Sequence, residues 1–329
     1  MTIEELAQKL GVSKSTVSRA LSGKGRISEE TRLKIQACAR QAGMWPKQQE
    51  TAHSTQNLGV ILPTAGYTMS IPFFEECLLG ISEAASSLQY QVMVEPGGAD
   101  ELSGIRRLVD SGKVDAIILM QNTKSDARLK YLSELPFPVG LIGSCDYPGV
   151  IQVDSDSRAA AESLTMMLVG RGYRRFALIT TVNAYGVNSA RCRGVSGALE
   201  RCGMEKGLQI FRASLMDMER MEGIIRSIFS SRADCIICAD DLICARLMSR
   251  LLGEGYRIPR DIAVASLCNS PTLDYFSPAV TAVNITGRKL GNAIGTQMIR
   301  FLQGEEYEEK MMLDYEILFR KSTNRKEQL

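Results

Sequence analysis

From Leu58 onward the chain alternates short apolar runs with amphipathic stretches of helical period, in two successive series. In the first series, LGVILP is followed by a helical stretch over Phe74–Leu88, then by YQVMVE, DAIILM and PVGLIG with helices between them. In the second, RFALIT precedes a helix near Ala190–Cys202, then come LQIFR, CIICA, a helix near Leu242–Gly253, and DIAVASL. Short apolar runs flanked by helices read as strands buried on both faces. Strands alternating with helices imply parallel sheets covered on both sides, because parallel neighbours need a helix-length crossover. Two such series predict an α/β fold with two doubly wound, parallel-sheet lobes. Ligands of such folds sit outside the carboxyl ends of the strands, and here also between the lobes.

The N-terminal residues follow a different pattern. Thr2 with Glu5 three positions on forms a capping box, and Ile3, Leu6, Ala7 and Leu10 make the stripe of a short amphipathic helix. Gly11 ends that helix, because glycine enters the left-handed region cheaply. Val12 fills the corner, and Ser13 caps a second helix with Val17 and Leu21 on its inner side. Ser22-Gly23-Lys24-Gly25 breaks the chain. Ser28 then caps a third helix, in which Ile35, Cys38, Ala39 and Ala42 share a face and Gly43 closes it. Two short helices joined by a tight glycine-containing turn predict an all-α helix-turn-helix head. Its second helix presents Lys14, Ser15, Ser18 and Arg19 opposite the inner side, and these donors suit a DNA major groove. The caps Thr2, Ser13 and Ser28 leave helix N-termini available to phosphate oxygens. A small bundle with a solvated polar face is the plainer alternative, but charge distribution favours DNA. Residues 1–57 carry nine Lys and Arg against five Asp and Glu, and the remainder 30 against 32. A basic head on a near-neutral body suits a polyanion-binding module joined to something else.

Other classes find little support. At 329 residues the chain is long enough for two or three compact units. No apolar run is long enough to span a bilayer, and the charged, amphipathic start is neither signal peptide nor anchor, so a cytoplasmic protein without a membrane partner is expected. The nine cysteines are irregularly spaced in apolar segments, which predicts reduced, buried thiols. Cys235 and Cys238 form a CxxC, but within DCIICADD this reads as strand. With His53 as the sole histidine, no His-rich metal site can form. No phosphate-binding loop, nucleophile elbow or dinucleotide fingerprint is present. No catalytic residue, metal or cofactor is therefore expected, and the paired Asp240-Asp241 alone make a weak case for an enzyme. A sugar-binding transport protein is disfavoured by the attached helix-turn-helix.

The segment TIEELAQKLGVSKSTVSRALSGKGRISEETRLKIQACARQAGMWP resembles the head of the lactose-repressor (LacI/GalR) family; LGVSKSTVSRAL followed by ISEETR is its most specific part. The resemblance implies that Lys14, Ser15, Thr16, Ser18 and Arg19 read bases, with Lys14 and Ser15 the pair that varies operator choice. It extends to the core through IPFFEECLLGISEAA, VDSDSRAAAESL, RCRGVSGAL, ADDLICARLMSRLLGEGYRIPRDIAV and ILFRKST, implying a periplasmic-binding-protein-like core. The implied domains are a head over 1–46, a linker over 47–57 and a core over 58–329. Lobe 1 would span about 58–154 and 285–311, lobe 2 about 155–284 and 312–329, with crossings near Asp154, Asn284 and Met312.

PKQQETAHSTQN reads as linker on composition alone. Family members form a hinge helix there, with a leucine wedged into the minor groove. No leucine lies between Pro46 and Leu58, and Glu50 adds negative charge. Weak or absent intercalation and a small bend are therefore expected.

For the effector, the resemblance implies Arg191 as a guanidinium fork in the cleft. It places Phe73 and Phe74 at the cleft mouth, although core packing explains them equally well. Asp240 stands at the position of an effector-binding asparagine, with Asp241 expected to cap the helix starting at Leu242. Asp146 lies on a loop after PVGLIG. Cys268 replaces a carboxylate that grips paired hydroxyls, and a thiol cannot accept two charge-assisted hydrogen bonds. An ordinary pyranose bound in the usual way is therefore not expected. The implied function is a homodimeric, sequence-specific regulator of transcription, by family habit a repressor, that binds operator DNA and answers to a small molecule. No tetramerising segment follows Phe319, which favours a dimer. A changed ligand, a protein partner or no effector at all remain open at this point.

Overall fold

The computed structural model describes residues 3–22, 28, 31, 34, 35, 38, 39, 54–63, 72–97, 102–123, 125–181, 186–213 and 218–324. The head begins with α1 (Ile3–Leu10) and α2 (Lys14–Ser22). Gly11 between them has a φ of +64°, the left-handed conformation expected of a glycine that stops a helix. Leu6, Ala7, Val17, Ala20, Ile35 and Ala39 form its buried core, with Leu10, Val12 and Cys38 packed alongside. Two details differ from the sequence reading. Ile3 is 37% exposed and outside that core, because a side chain in the first turn has no preceding turn to cover it. Ala20 lies on the inner side with Val17. The side chain of Leu21 and the segments holding Thr2, Ala42 and Gly43 lie outside the described residues.

Lobe 1 contains β1 (Asn57–Pro63), α3 (Pro72–Ser87), β2 (Gln91–Gly97), α4 (Ser103–Ser111), β3 (Ala116–Leu119), α5 (Ala127–Ser133), β4 (Val139–Ile142) and β5 (Val150–Ser155). Lobe 2 contains α6 (Ser157–Gly170), β6 (Phe176–Thr181), α7 (Gly186–Arg201), β7 (Leu208–Ala213), α8 (Met218–Ser230), β8 (Cys235–Cys238), α9 (Asp241–Gly253), β9 (Ala263–Ser266), α10 (Pro271–Asp274) and β10 (Thr281–Asn284). The chain then returns to lobe 1 through α11 (Gly287–Gln303) and β11 (Lys310–Leu313), and β12 (Glu316–Leu318) completes lobe 2.

The described strands form two six-stranded sheets, ordered β11-β5-β4-β3-β1-β2 and β12-β10-β9-β8-β6-β7. The first is parallel throughout. In the second, β12 runs antiparallel to β10 at the edge, a departure from purely parallel lobes. In each sheet the strand order reverses beside the first strand, between β1 and β3 and between β6 and β8. Those are the points where a crevice opens at the carboxyl ends.

Four strands escaped the sequence reading: β5, β10, β11 and β12. VIQVDS carries Gln, Asp and Ser, TAVN is short, and KMML and EIL are edge strands whose outer positions face solvent. A strand half covered by its sheet has no continuous apolar run to announce it.

Glycine permits the closest helix contacts. A Cβ on Gly291 of α11 would overlap the carbonyl oxygen of Cys77 in α3, and one on Gly194 of α7 would overlap the carbonyl of Arg158 in α6. Each lobe therefore has one helix pair in backbone contact on its sheet. Polar residues leading into β1 are fastened by one carboxylate: Asp115 accepts from Ser54 Oγ, Thr55 N and Gln56 N at 2.7–2.9 Å. The C-terminal segment is likewise built in. Ser322 Oγ donates to Val264 O at 2.6 Å and accepts from Thr281 N at 2.8 Å. Among the described residues, no helix is long and apolar enough to cross a membrane.

Candidate functional site

The head presents a polar strip. Ser13 Oγ accepts from Thr16 N at 3.1 Å and bonds the hydroxyls of Ser15 and Thr16 at 2.8 and 2.7 Å, so it caps α2 as its sequence position implies. Burial of Val17 and Ala20 turns Lys14, Ser15, Ser18 and Arg19 to solvent, with Thr16 half-buried at the edge. Lys14 is not idle: its ammonium pairs with Glu4 on α1, which holds the Glu4 carboxyl below its usual range. Ser28 Oγ accepts from Thr31 N at 3.3 Å, a cap at the start of the third helix.

The second site is a cleft of about 760 Å³ between the lobes, at the carboxyl ends of the strands. From lobe 1 come the turn after β3, the turn after β4 and the end of β5. From lobe 2 come α7, the corner between β8 and α9, and the turn after β9. All six effector candidates, Phe73, Phe74, Asp146, Arg191, Asp240 and Cys268, line this one space. The two readings of the phenylalanines turn out to be compatible. Phe74 is 8% exposed in the lobe 1 core, Phe73 is half-buried, and the rings meet edge to face at 5.6 Å while both reach the cleft. Asp146 is exposed at the rim.

Arg191 is the deepest cation. It projects from α7, is 8% exposed, and donates through Nη1 to Ala239 O at 2.8 Å, while its Nε has no partner. Beside it stand the acids of the β8–α9 corner. Asp240, not Asp241, caps α9: its carboxylate accepts from Ile243 N at 2.7 Å and the helix starts at Asp241. The sequence reading placed that cap one residue late, because either aspartate can cap and only the backbone turn selects one. Asp241 is 3% exposed and its Oδ1 lacks a partner. Across the cleft, Asp154 accepts from Ser144 Oγ at 2.7 Å, and Ser144 O accepts from Asn122 Nδ2 at 2.9 Å, which ties two lobe 1 turns together. Asn188 Nδ2 donates to Thr181 Oγ1 at 2.7 Å on the lobe 2 side. Sequence reasoning did not select Asp154, Asn188 or Asp241 as site residues. Only their positions could have hinted at it, Asp154 at the end of β5 and Asn188 and Asp241 in the first turn of the helices that follow β6 and β8.

Burial dominates the electrostatics. It pushes Asp240 up to about 6, with Asp241 adding to the rise and the Ile243 N–H opposing it. Burial likewise raises Asp154 and Asp241, and lifts the Cys268 thiol to about 12, so that it stays a neutral thiol. Asp126 behaves oppositely. Burial would raise it, but the Arg128 guanidinium and the N–H groups of Thr123 and Leu129 hold it low, ordering the turn that carries Gln121–Thr123.

A pH test follows from Asp240. Its folded carboxyl binds a proton more tightly than the ordinary value of 3.8, so ionisation works against folding. That cost is absent below about pH 4, grows through the interval, and is complete above about pH 6. Asparagine caps helices as well as aspartate does. Asp240→Asn should therefore raise the unfolding temperature at neutral pH, by an amount that shrinks as the pH falls toward 4. Equal destabilisation at both ends of the range in thermal unfolding would contradict this.

A helix-turn-helix head joined to a two-lobed binding-protein-like core, with a charged cleft between the lobes, defines a class: two-lobed α/β proteins that carry a helix-turn-helix module. Comparison with known proteins finds a match to each part. Residues 2–47 match the model described as "Bacterial regulatory proteins, lacI family", and residues 165–323 match the "Periplasmic binding protein-like domain". From head to core the chain is similar to the lacI family of bacterial regulatory proteins; it is a DNA-binding regulator of transcription and not an enzyme. The HTH-type transcriptional regulator MalR of Staphylococcus xylosus is 27% identical over 318 residues, 92% of each chain. AglR of Rhizobium meliloti (strain 1021), also an HTH-type transcriptional regulator, is 26% identical over 98% of this chain and 94% of its own. Among solved structures, a transcriptional regulator CelR–cellobiose complex superposes with a TM-score of 0.72, covering 98% of this chain and 99% of that one, at 22% identity. At that identity the likeness speaks for the fold.

Proposed function

We propose that this chain is a repressor that grips a palindromic operator as a homodimer, and that a small molecule in the inter-lobe cleft alters that grip. In this reading residues 1–46 read DNA, 47–57 link, and 58–329 dimerise and bind the effector. Lys14, Ser15, Thr16, Ser18 and Arg19 face base edges, while the capped helix starts at Ser13 and Ser28 meet phosphates. One small head reads too few bases, and two-fold symmetry doubles the readout. Closure of the cleft would turn one lobe against the other and change the spacing of the two heads; allostery requires that DNA prefer one spacing.

The observation that carries the effector part is Arg191. A nearly buried guanidinium with an unpartnered Nε, inside a cleft where three chain crossings meet, is costly unless a ligand completes it. The experiment is selection of bound duplexes from a random pool, with and without fractionated metabolites, followed by titration of the winner. Expected are palindromic winners, an affinity that falls linearly in log–log salt plots, and a metabolite fraction that shifts the affinity. A flat salt profile, or winners without symmetry, would refute the DNA part. An affinity that no fraction moves would refute the effector part in favour of a partner protein or no effector.

A further inference from the structure

The ligand's charge class is written in the cleft, given the reading of that cleft as an effector site. Among the described lining residues the exposed rim is balanced, with Asp146 and Asp156 against Arg158 and Arg193. The interior is not. Arg191 is its one guanidinium, and it faces three carboxylates: Asp154, Asp240 and Asp241. Burial keeps the lining cysteines Cys145 and Cys268 as neutral thiols, so neither adds charge. We propose that the cleft takes a small organic cation, a hydroxylated compound bearing a protonated amine, whose ammonium is held at Asp241 and whose neighbouring hydroxyl accepts from Arg191.

Two under-satisfied, nearly buried groups specify the poles. Asp241 is 3% exposed, and beside the neutral Ser270 hydroxyl its Oδ1 meets no formed hydrogen bond; Arg191 is 8% exposed, and its Nε makes none, with only the weakly accepting Cys268 sulfur nearby. An ammonium supplies three donors and a positive charge, and a hydroxyl oxygen supplies the acceptor. An anion would suit Arg191 alone, but its guanidinium is already engaged at Ala239 O and surrounded by carboxylates. A carboxylate or phosphate ligand would therefore add charge to an interior that is already negative. A metal ion is the other candidate counter-charge. Among the described residues, no group of three or more His, Cys, Asp or Glu is placed to hold one. The neighbouring acids are raised by burial and lack a second cation. A bound ammonium would relieve that deficit, and in a site of low dielectric it would do so strongly.

The test uses the full chain and matched compounds: D-glucosamine, D-glucose and D-gluconate, then wider sets of hydroxylated amines, neutral polyols and hydroxy acids. Thermal unfolding ranks them and calorimetry gives affinities. Hydroxylated amines should be the strongest stabilisers. Asp241→Asn should weaken the best amine about tenfold or more, the worth of one charge-assisted hydrogen bond, while a neutral analogue loses little. Asp154→Asn should weaken it in the same direction and serves if the first variant does not fold. Stronger binding by neutral or acidic compounds, or amine affinity unchanged in both variants, overturns the charge assignment and leaves the cleft as an effector site. Binding by no compound of any set overturns both.

Discussion

Gly291→Ala should lower the unfolding midpoint of this protein by roughly 10 °C, from about 3 kcal/mol of lost stability. The new methyl would overlap a backbone oxygen, that of Cys77, and backbone cannot rotate out of the way as a side chain can. Nor can the two helices simply part. Gly80 of α3 makes the reciprocal approach to Arg288 of α11, and the Arg288 side chain is paired with Glu83. Separation would open the buried apolar cluster that joins Cys77, Ile81 and Ala85 to Leu290 and Ile294. Gly223→Ala is the matched control. It also lies in a helix, nothing stands within 4 Å of its added Cβ, and a small gain of about 0.5–1 kcal/mol is expected. Thermal unfolding of both variants decides the matter: equal midpoints would mean that α3 and α11 are not in backbone contact.

Arg19→Ala has the largest expected effect on function. A bidentate contact to a base is worth about 1–3 kcal/mol of discrimination, and in a symmetric dimer it is lost twice. Preference for the selected palindrome over bulk duplex should fall by roughly thirtyfold to twenty-thousandfold. Bulk affinity should fall far less, since phosphate contacts elsewhere remain. Arg19 is exposed on α2, so thermal unfolding should barely change and a folding defect can be told from a reading defect. Competition binding with the selected duplex and sheared bulk DNA measures the ratio. An unchanged ratio would remove α2 from the recognition surface.

The head was legible in the sequence because its rules are local. A serine three residues before an amide it caps, a glycine at a helix stop, and apolar residues three and four apart all act within one or two turns. Ser13, Ser28 and Gly11 sit as those rules require. The α/β core was legible for a similar reason: fully buried parallel strands such as AIIL and CIIC are continuous apolar runs. Edge strands β11 and β12 were not, because half of each faces solvent and their strand character depends on the neighbour they join.

The six cleft candidates were chosen by family resemblance, and they do share one space. What resemblance could not provide was the balance within it. Asp154, Arg191 and Asp241 come from three distant stretches of chain, and each is unremarkable where it stands in the sequence. Local periodicity, caps and apolar runs, all set by contacts a few residues long, were enough to determine the head and the two lobes, and resemblance of the quoted segments pointed to the family. Which aspartate became a helix cap, which was left buried without a partner, and what charge the cleft carries were decided only by folding. Desolvation and Coulomb energy depend on distance in space, and distance along the chain does not encode it.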